Sequence, residues 1–590
     1  MSATGKRRGP GNDAAAYLLP AACLLFVLAL ALTWCAAAAG AVLDGQPAPP
    51  ANPFQLPFDL GTGDYTWPGA WATGVLVGEL IALTAAAVVI IRAVRRARRR
   101  RQPIDAAATH MGKGAALARL TTAGVSERSQ RLGSDRLGVF LGRSVIGRQD
   151  LYSSVEDVQV DIWGPRTGKT TRKAIPAVMD HGAAPVLVTS NKRDIVDATR
   201  GPRAGYGQVS VFDPQDLIGE IPADAEPTWW WNPLTYVTDM QTAAELASHF
   251  AADSRSANAS TDAYFEPSGQ ELLANLLMAA KLADRPITQV DSWLANPRES
   301  EPERILRTHG RLYEGAANAV LGILNAPDKQ RAGVYGTARL MAAVLRDPRV
   351  TRWVTPPRDS LAKATEFDPE AFVRSSGDTL YLVSREGKGS AGALVTALTV
   401  AVCEAAEKYA ARRRGGRLPR ELLAVLDEAA NVCRWQNLPN LYSHYGSRGI
   451  LLMTILQSWA QGVEVWGENG MAKLWSSATI ATYGGGVKDP KYLRELSDMI
   501  GPWEAPTFTA TTQPGSNPGN LLGSNRSMAR SSRSEEIVSV RDLGSLSAGR
   551  AILLASQADP TLIETVPWWE REWAADVRLS LAIHEPNDTP

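Results

Sequence analysis

Residues Val158 to Thr171 read VQVDIWGPRTGKTT. Val158, Val160 and Ile162 alternate as a strand does. Gly164, Pro165, Arg166, Thr167, Gly168, Lys169, Thr170 and Thr171 follow as a loop, and Lys173 to Met179 can continue as a helix. A strand, a glycine turn, a Lys-Thr pair and a helix make a cradle for phosphate. The loop N–H groups and the helix N-terminus face the anion, Lys169 reaches the terminal phosphates, and the Thr170 hydroxyl ligates Mg²⁺. A nucleoside triphosphate with Mg²⁺ is the expected ligand. One feature departs from the usual pattern: the position five before the Gly-Lys pair, normally a small residue, is Trp163. Nucleotide affinity and loop geometry are therefore open at that point.

A second motif lies at Glu421 to Asn431, ELLAVLDEAAN. Leu422 to Leu426 form the apolar run of a buried parallel strand. The two carboxylates that close it suit a nucleotide site: Asp427 to hold Mg²⁺ and Glu428 to polarise the attacking water. Ile450 to Gln457, ILLMTILQ, is another buried strand. Its terminal Gln457 has an amide that donates to phosphate and accepts from water, as expected of a γ-phosphate sensor. Arg448, just before that strand, reads either as an arginine finger for a neighbouring site or as a surface ion-pair residue. In SNKRD, Lys192 or Asp194 can face the nucleotide from the ligand edge of an open sheet. Gly387 to Gly392, GKGSAG, reads as a strand-to-helix turn. Arg412 to Arg414 read as complementing a helix dipole or as facing DNA, and Trp229 to Trp231 as packing against the sheet or as stacking on a base.

These motifs need a scaffold that brings strand ends together. Apolar runs at Val158–Ile162, Pro185–Thr189, Val209–Phe212, Leu380–Val383, Leu422–Leu426, Ile450–Leu456, Thr479–Tyr483 and Ala551–Leu554 alternate with helical stretches. That alternation predicts an α/β, parallel, doubly wound sheet. Strand signals fade between Phe212 and Leu380. Residues 240–370 therefore read as an all-α insertion that splits the nucleotide-binding domain into 151–239 and 371–575. Within the second part, 503–535 reads as a mobile loop. Residues 102–150 read as a linker and 576–590 as a tail. A chain of 590 residues exceeds one core.

The N-terminal region predicts two transmembrane helices within residues 1–101. Ala21–Leu43 and Trp67–Ile91 are apolar over the length a bilayer needs. Lys6, Arg7 and Arg8 precede the first, and Arg92, Arg95, Arg96 and Arg98 to Arg101 follow the second. The intervening loop has no Lys or Arg, so both termini are expected in the cytoplasm and the chain in the plasma membrane. Glu79 within the second span predicts a partner helix, and Gly74 with Gly78 forms a GxxxG contact candidate. The arginine cluster reads as an anchor at anionic lipid. The 62 Lys+Arg against 61 Asp+Glu neither demand nor exclude a nucleic-acid partner. The four cysteines form no framework.

Taken together, two N-terminal spans, a divergent P-loop, a helical insertion and VLDEAANV…SRGILLMTILQS resemble the coupling proteins of conjugative type IV secretion, the TraG/TraD group. The composition, rich in Gly, Ala and Arg, is similar to that of actinobacterial chains. The resemblance implies a RecA-like ATPase domain with an all-α insertion. It also implies a homo-hexameric ring under the membrane, and ATP-driven delivery of single-stranded DNA with its attached relaxase to secretion channel components. By it Lys169 and Thr170 match the Walker A pair, Asp427 and Glu428 the Walker B pair, Gln457 the strand-tip glutamine and Arg448 the arginine before that strand. Alternatives are a substrate receptor without hydrolysis, or a motor for double-stranded DNA or protein.

Overall fold

The computed structural model describes residues 14–99, 102–219, 221, 225–255, 264–357, 364–387, 389–513 and 525–586. Lys6, Arg7, Arg8, Arg100, Arg101, Lys388 and the end of the expected tail, 587–590, lie outside the described residues. Two compact units form, Met1–Pro103 and Ile104–Pro590.

The first unit has long helices at Ala14–Asp44 and Gly69–Arg99, with a short helix Leu56–Thr62 between them. The long helices approach closely through small residues. A Cβ at Gly40 would lie 2.4 Å from the Ala72 Cβ, and Ala36, Ala37, Ala41 and Ala72 are buried. Among the described residues nothing of this chain lies within 4 Å of a Cβ at Gly74 or Gly78. Glu79 Oε2 is shielded and has no hydrogen-bond partner among the described residues. Also among the described residues, one helix, Phe26–Asp44, is long and apolar enough to cross a membrane, and Gly69–Ala85 is a shorter apolar stretch. The second span expected over Trp67–Ile91 falls on the helix Gly69–Arg99, of which Gly69–Ala85 is the apolar part among the residues searched.

Among its described residues the second unit contains fifteen strands: β1 Phe140–Ser144, β2 Asp150–Tyr152, β3 Gln159–Ile162, β4 Val186–Ser190, β5 Val209–Phe212, β6 Trp229–Trp230, β7 Thr365–Glu366, β8 Thr379–Val383, β9 Leu422–Leu426, β10 Ile450–Leu456, β11 Ile480–Tyr483, β12 Pro502–Gln513, β13 Asn525–Glu536, β14 Arg550–Ala555 and β15 Ala558–Glu564. Eleven of them form one sheet in the order β2-β1-β15-β14-β11-β3-β10-β9-β4-β8-β5. From β11 to β5 every pairing is parallel. The expectation of a wholly parallel sheet is corrected at one end, where β14, β15, β1 and β2 add antiparallel pairings.

The parallel strands are apolar without interruption because both faces are covered. Along β9, Leu422, Ala424 and Leu426 enter one core cluster while Leu423 and Val425 enter another. Helices Met240–Ser254, Phe265–Leu282, Thr288–Ala295, Glu301–Thr308, Glu314–Leu324, Asp328–Met341 and Pro348–Thr351 lie between β6 and β7. Their apolar residues join the first cluster. Trp229 and Trp231 are buried, and Trp229 packs edge-on to Trp353.

Two segments expected to be irregular contain regular elements. The presumed linker carries the helical segments Pro103–His110, Gly114–Leu120 and Thr122–Arg131 and strand β1. It is tied down by the Asp105–Arg550 ion pair at 2.6 Å. Within 503–535, β12 and β13 pair as an antiparallel ribbon from Pro502↔Glu536 to Gln513↔Asn525, and 514–524 lie outside the described residues. Thr at 507, 509, 511 and 512 favours extended backbone, a signal masked by the segment's Ser, Gly and Asn content.

Candidate nucleotide site

β3 and β9 are separated only by β10, so their carboxyl ends lie side by side although the motifs are far apart in sequence. After β3 the chain turns through Gly164 to Gly168. A π-helical turn, Thr170–Ala174, then runs into the α-helix Ile175–Asp180. Gly168 has φ +90° and Arg166 φ +61°. Left-handed backbone at these two positions folds the loop back over the strand tip. The Thr167 hydroxyl donates to the Gly164 carbonyl at 2.7 Å and the Thr171 hydroxyl to the Gly168 carbonyl at 3.2 Å, fixing the loop internally. Pro165 and Arg166 are exposed and Thr170 is half-buried.

Lys169 forms an ion pair with Glu428 and lies 3.6 Å from Asp427 Oδ1. Both acids are buried. Glu428 follows the strand with φ +55°, a left-handed conformation that is uncommon outside glycine and marks a constrained position. Gln457, at the tip of β10, donates its amide to Glu428 Oε1 at 2.7 Å. Burial pushes the Asp427 carboxyl up to about 6, with Lys169 opposing the shift. The same burial lowers Lys169 from the usual ammonium range, against the pull of Asp427. Asp427 Oδ1 is buried without a hydrogen-bond partner. Such a carboxylate oxygen, left without a hydrogen-bond partner among the described residues, suits a hydrated divalent cation.

Trp163 does not enter this cluster. Its ring is buried at 1 % exposure, among Leu117, Leu141, Leu151, Ile480 and Leu553. The indole N–H donates to Thr482 Oγ1 at 2.8 Å. Thr482 donates in turn to Asp161, and Asp161 pairs with the buried Lys173 at 3.2 Å. Room for the ring comes from the Gly484-Gly485-Gly486 turn after β11. A Cβ at Gly484 would sit 2.1 Å from the indole, and one at Gly164 only 2.3 Å from the Gly486 carbonyl oxygen. The Gly164 N–H donates to the Gly485 carbonyl at 2.9 Å. Asp161, Lys173 and the three glycines were not singled out from the sequence. The glycine run and an acid inside an apolar strand were the available signals.

Arg448 stands apart. It closes the helix Leu438–Arg448 at the start of β10, and its Nη1 donates to the Gly416 carbonyl at 2.9 Å. The seven residues of β10 span about 23 Å, so this chain's Arg448 and Gln457 lie at opposite ends of the strand. Lys192 is exposed, and its charge is felt by both Lys169 and Asp427. Asp194 is also exposed, and its charge raises Asp427 further. Gly387 and Gly389 have φ +83° and +79°, as a strand-to-helix turn requires. Arg413 stacks on Tyr409 at 4.4 Å.

Residues 421–548 match the family model described as the TraM recognition site of TraD and TraG. Three solved structures share the fold. The plasmid coupling protein TrwB bound to the non-hydrolysable GTP analogue GDPNP is 15% identical, over 77% of this chain and 96% of that chain, with a TM-score of 0.51. TrwB with the ATP analogue ADPNP is 15% identical over 76% and 93%, with a TM-score of 0.50. TrwB with ADP and Mg²⁺ is 14% identical over 76% and 93%, with a TM-score of 0.50. No curated protein sequence matches the chain. At such identity the structural likeness establishes a mixed α/β fold. With the family match, the chain is similar to the TraG/TraD group, as its sequence implied.

Proposed function

We propose that this chain is a membrane-anchored, ATP-hydrolysing coupling protein that delivers single-stranded DNA with its relaxase to a conjugative secretion channel. The observation that carries the reading is the convergence of Lys169, Asp427, Glu428 and Gln457 at adjoining strand tips. The cargo, the hexameric ring and two membrane-spanning helices are implied by the TraG/TraD resemblance. The apolar helix Phe26–Asp44 is consistent with an anchor.

In the proposed cycle, the N–H groups of Gly164 to Thr171 cradle the phosphates, and Lys169 leaves Glu428 to reach the terminal phosphate. Thr170 and Asp427 would hold Mg²⁺, which neutralises charge on the phosphate oxygens. Glu428, freed from Lys169 and oriented by Gln457, accepts the proton of the attacking water. Lys169 thus acts on both sides of the reaction, masking the base at rest and releasing it when phosphate arrives. The reading without hydrolysis drew its support from Trp163, whose ring lies in the core.

The test is steady-state ATP hydrolysis by the full chain in detergent or nanodiscs, with and without single-stranded DNA. Hydrolysis that Lys169→Ala abolishes supports the motor. Turnover unchanged in that variant overturns it.

A further inference from the structure

Glu428 has a third neighbour that the proposed cycle does not use. Asn431, one turn further along the chain, directs its Nδ2 at two carboxylates, Glu428 Oε2 at 3.4 Å and Glu386 Oε1 at 3.0 Å. Asn191, just past the tip of β4, donates its Nδ2 to the same Glu386 oxygen. The amide orientation is forced by the chemistry. Turned over, each amide would present its carbonyl oxygen to a carboxylate, with no donor between them.

The four residues come from three separate strand ends: β4 for Asn191, β8 for Glu386, and β9 for Glu428 and Asn431. Glu386 is exposed, Asn191 and Asn431 are half-buried and Glu428 is buried. The chain of contacts therefore runs from the surface of the loop after β8 to the acid that the proposed cycle uses as base. Glu386 serves as acceptor for both amides and has no cation paired to it among the described ion pairs. Two amide donors on one exposed carboxylate oxygen fix the orientation of both asparagines, and the same charge acts on Lys169.

We propose that Asn431 and Glu386 are positioning residues for Glu428, with Asn191 bracing Glu386, and that the loop after β8 thereby sets the rate of hydrolysis. Asn431 fixes Oε2 while Gln457 fixes Oε1. The carboxylate is then held from both sides once Lys169 leaves it for phosphate. A partner or substrate that engages the exposed loop and draws Glu386 away loosens one side of this grip. The inference rests on the hydrolytic reading above.

The experiment measures kcat and KM for ATP in the full chain for Asn431→Ala, Glu386→Ala and Glu386→Gln, beside Lys169→Ala, with the affinity of each for a fluorescent ATP analogue. Asn431→Ala and Glu386→Ala are expected to lower kcat about tenfold, with analogue affinity and KM within about twofold of the parent. Glu386→Gln keeps an acceptor oxygen and is expected to restore most of kcat. Parental kcat in both alanine variants overturns the relay. So does an equal loss in Glu386→Gln, or a loss accounted for by weaker nucleotide binding. If the parent chain hydrolyses ATP and Lys169→Ala does not, these failures sink the relay alone. If the parent chain has no turnover, the hydrolytic reading fails first and takes the relay with it.

Discussion

Two lysines one helical turn apart do opposite things in this protein. Lys173 points under the sheet and pairs with Asp161 on β3, both at or below 1 % side-chain exposure. Lys169 points along the strand tips to Asp427 and Glu428, with 14 % of its side chain open. The first pair is enclosed by Trp163, Thr482 and Gln159 and has no room for a ligand. The second lies at the sheet's carboxyl edge, where an incoming anion can take the lysine away from the acids. Buried charge is costly unless paired. At the inner site that cost is met by an ion pair that cannot open. At the outer site it is met by one that a phosphate can replace.

The sharpest break of the comparison exchanges the two lysines' losses. Lys173→Ala leaves Asp161 uncompensated in the core and is expected to cost about 3–5 kcal/mol of stability, read by denaturant unfolding. Lys169→Ala is expected to leave the chain folded, because the buried Asp427, already pushed up to about 6, can take a proton and Gln457 still donates to Glu428, and to lower kcat/KM for ATP at least about 100-fold. Equal unfolding of both variants would erase the distinction. Glu428→Gln sharpens the outer site, with kcat down about 100-fold and nucleotide affinity retained.

The inner site is probed through its tryptophan. Trp163→Ala is expected to cost about 3 kcal/mol. Gly484→Ala, which drives a methyl into the indole, is expected to cost a similar amount. The double variant should be more stable than the sum of the two losses predicts, because the small residue at 163 vacates the space the methyl needs. Strict additivity in the thermal or denaturant midpoint would contradict the packing.

The smallest effect expected is on pH. With Asp427 pushed up to about 6, Mg²⁺-dependent nucleotide binding should weaken about tenfold per pH unit below 6, as protons compete for the carboxylate. The sign for folding is opposite at this group. Its folded-state pKa lies above the unfolded one, so between about 4 and 6 the folded chain binds more protons, and acidification stabilises it there. Isothermal titration at pH 7 and pH 5 separates lost binding from lost structure.

The phosphate loop and the Asp-Glu strand were legible in the sequence because each is local. A cradle needs contiguous N–H groups, and a buried parallel strand needs an unbroken apolar run. All eight expected runs overlap strands of the main sheet. Of the antiparallel end only β14 was legible, because β1, β2 and β15 interleave polar residues with apolar ones, as in Asp150-Leu151-Tyr152. The β12–β13 ribbon read as a loop because its composition resembles one, and pairing register is invisible in a single strand.

The sequence by itself determined which residues can hold a phosphate, which can carry a proton and which segments must be buried, since these depend on side-chain chemistry and periodicity. Only the tertiary structure decided that Lys169 meets Glu428 while Lys173 meets Asp161, that Trp163 turns into the core over Gly484, and that Arg448 ends far from Gln457. The physical reason is strand order. A parallel sheet with crossovers places residues hundreds of positions apart on neighbouring strand tips, and no local pattern records which strands become neighbours.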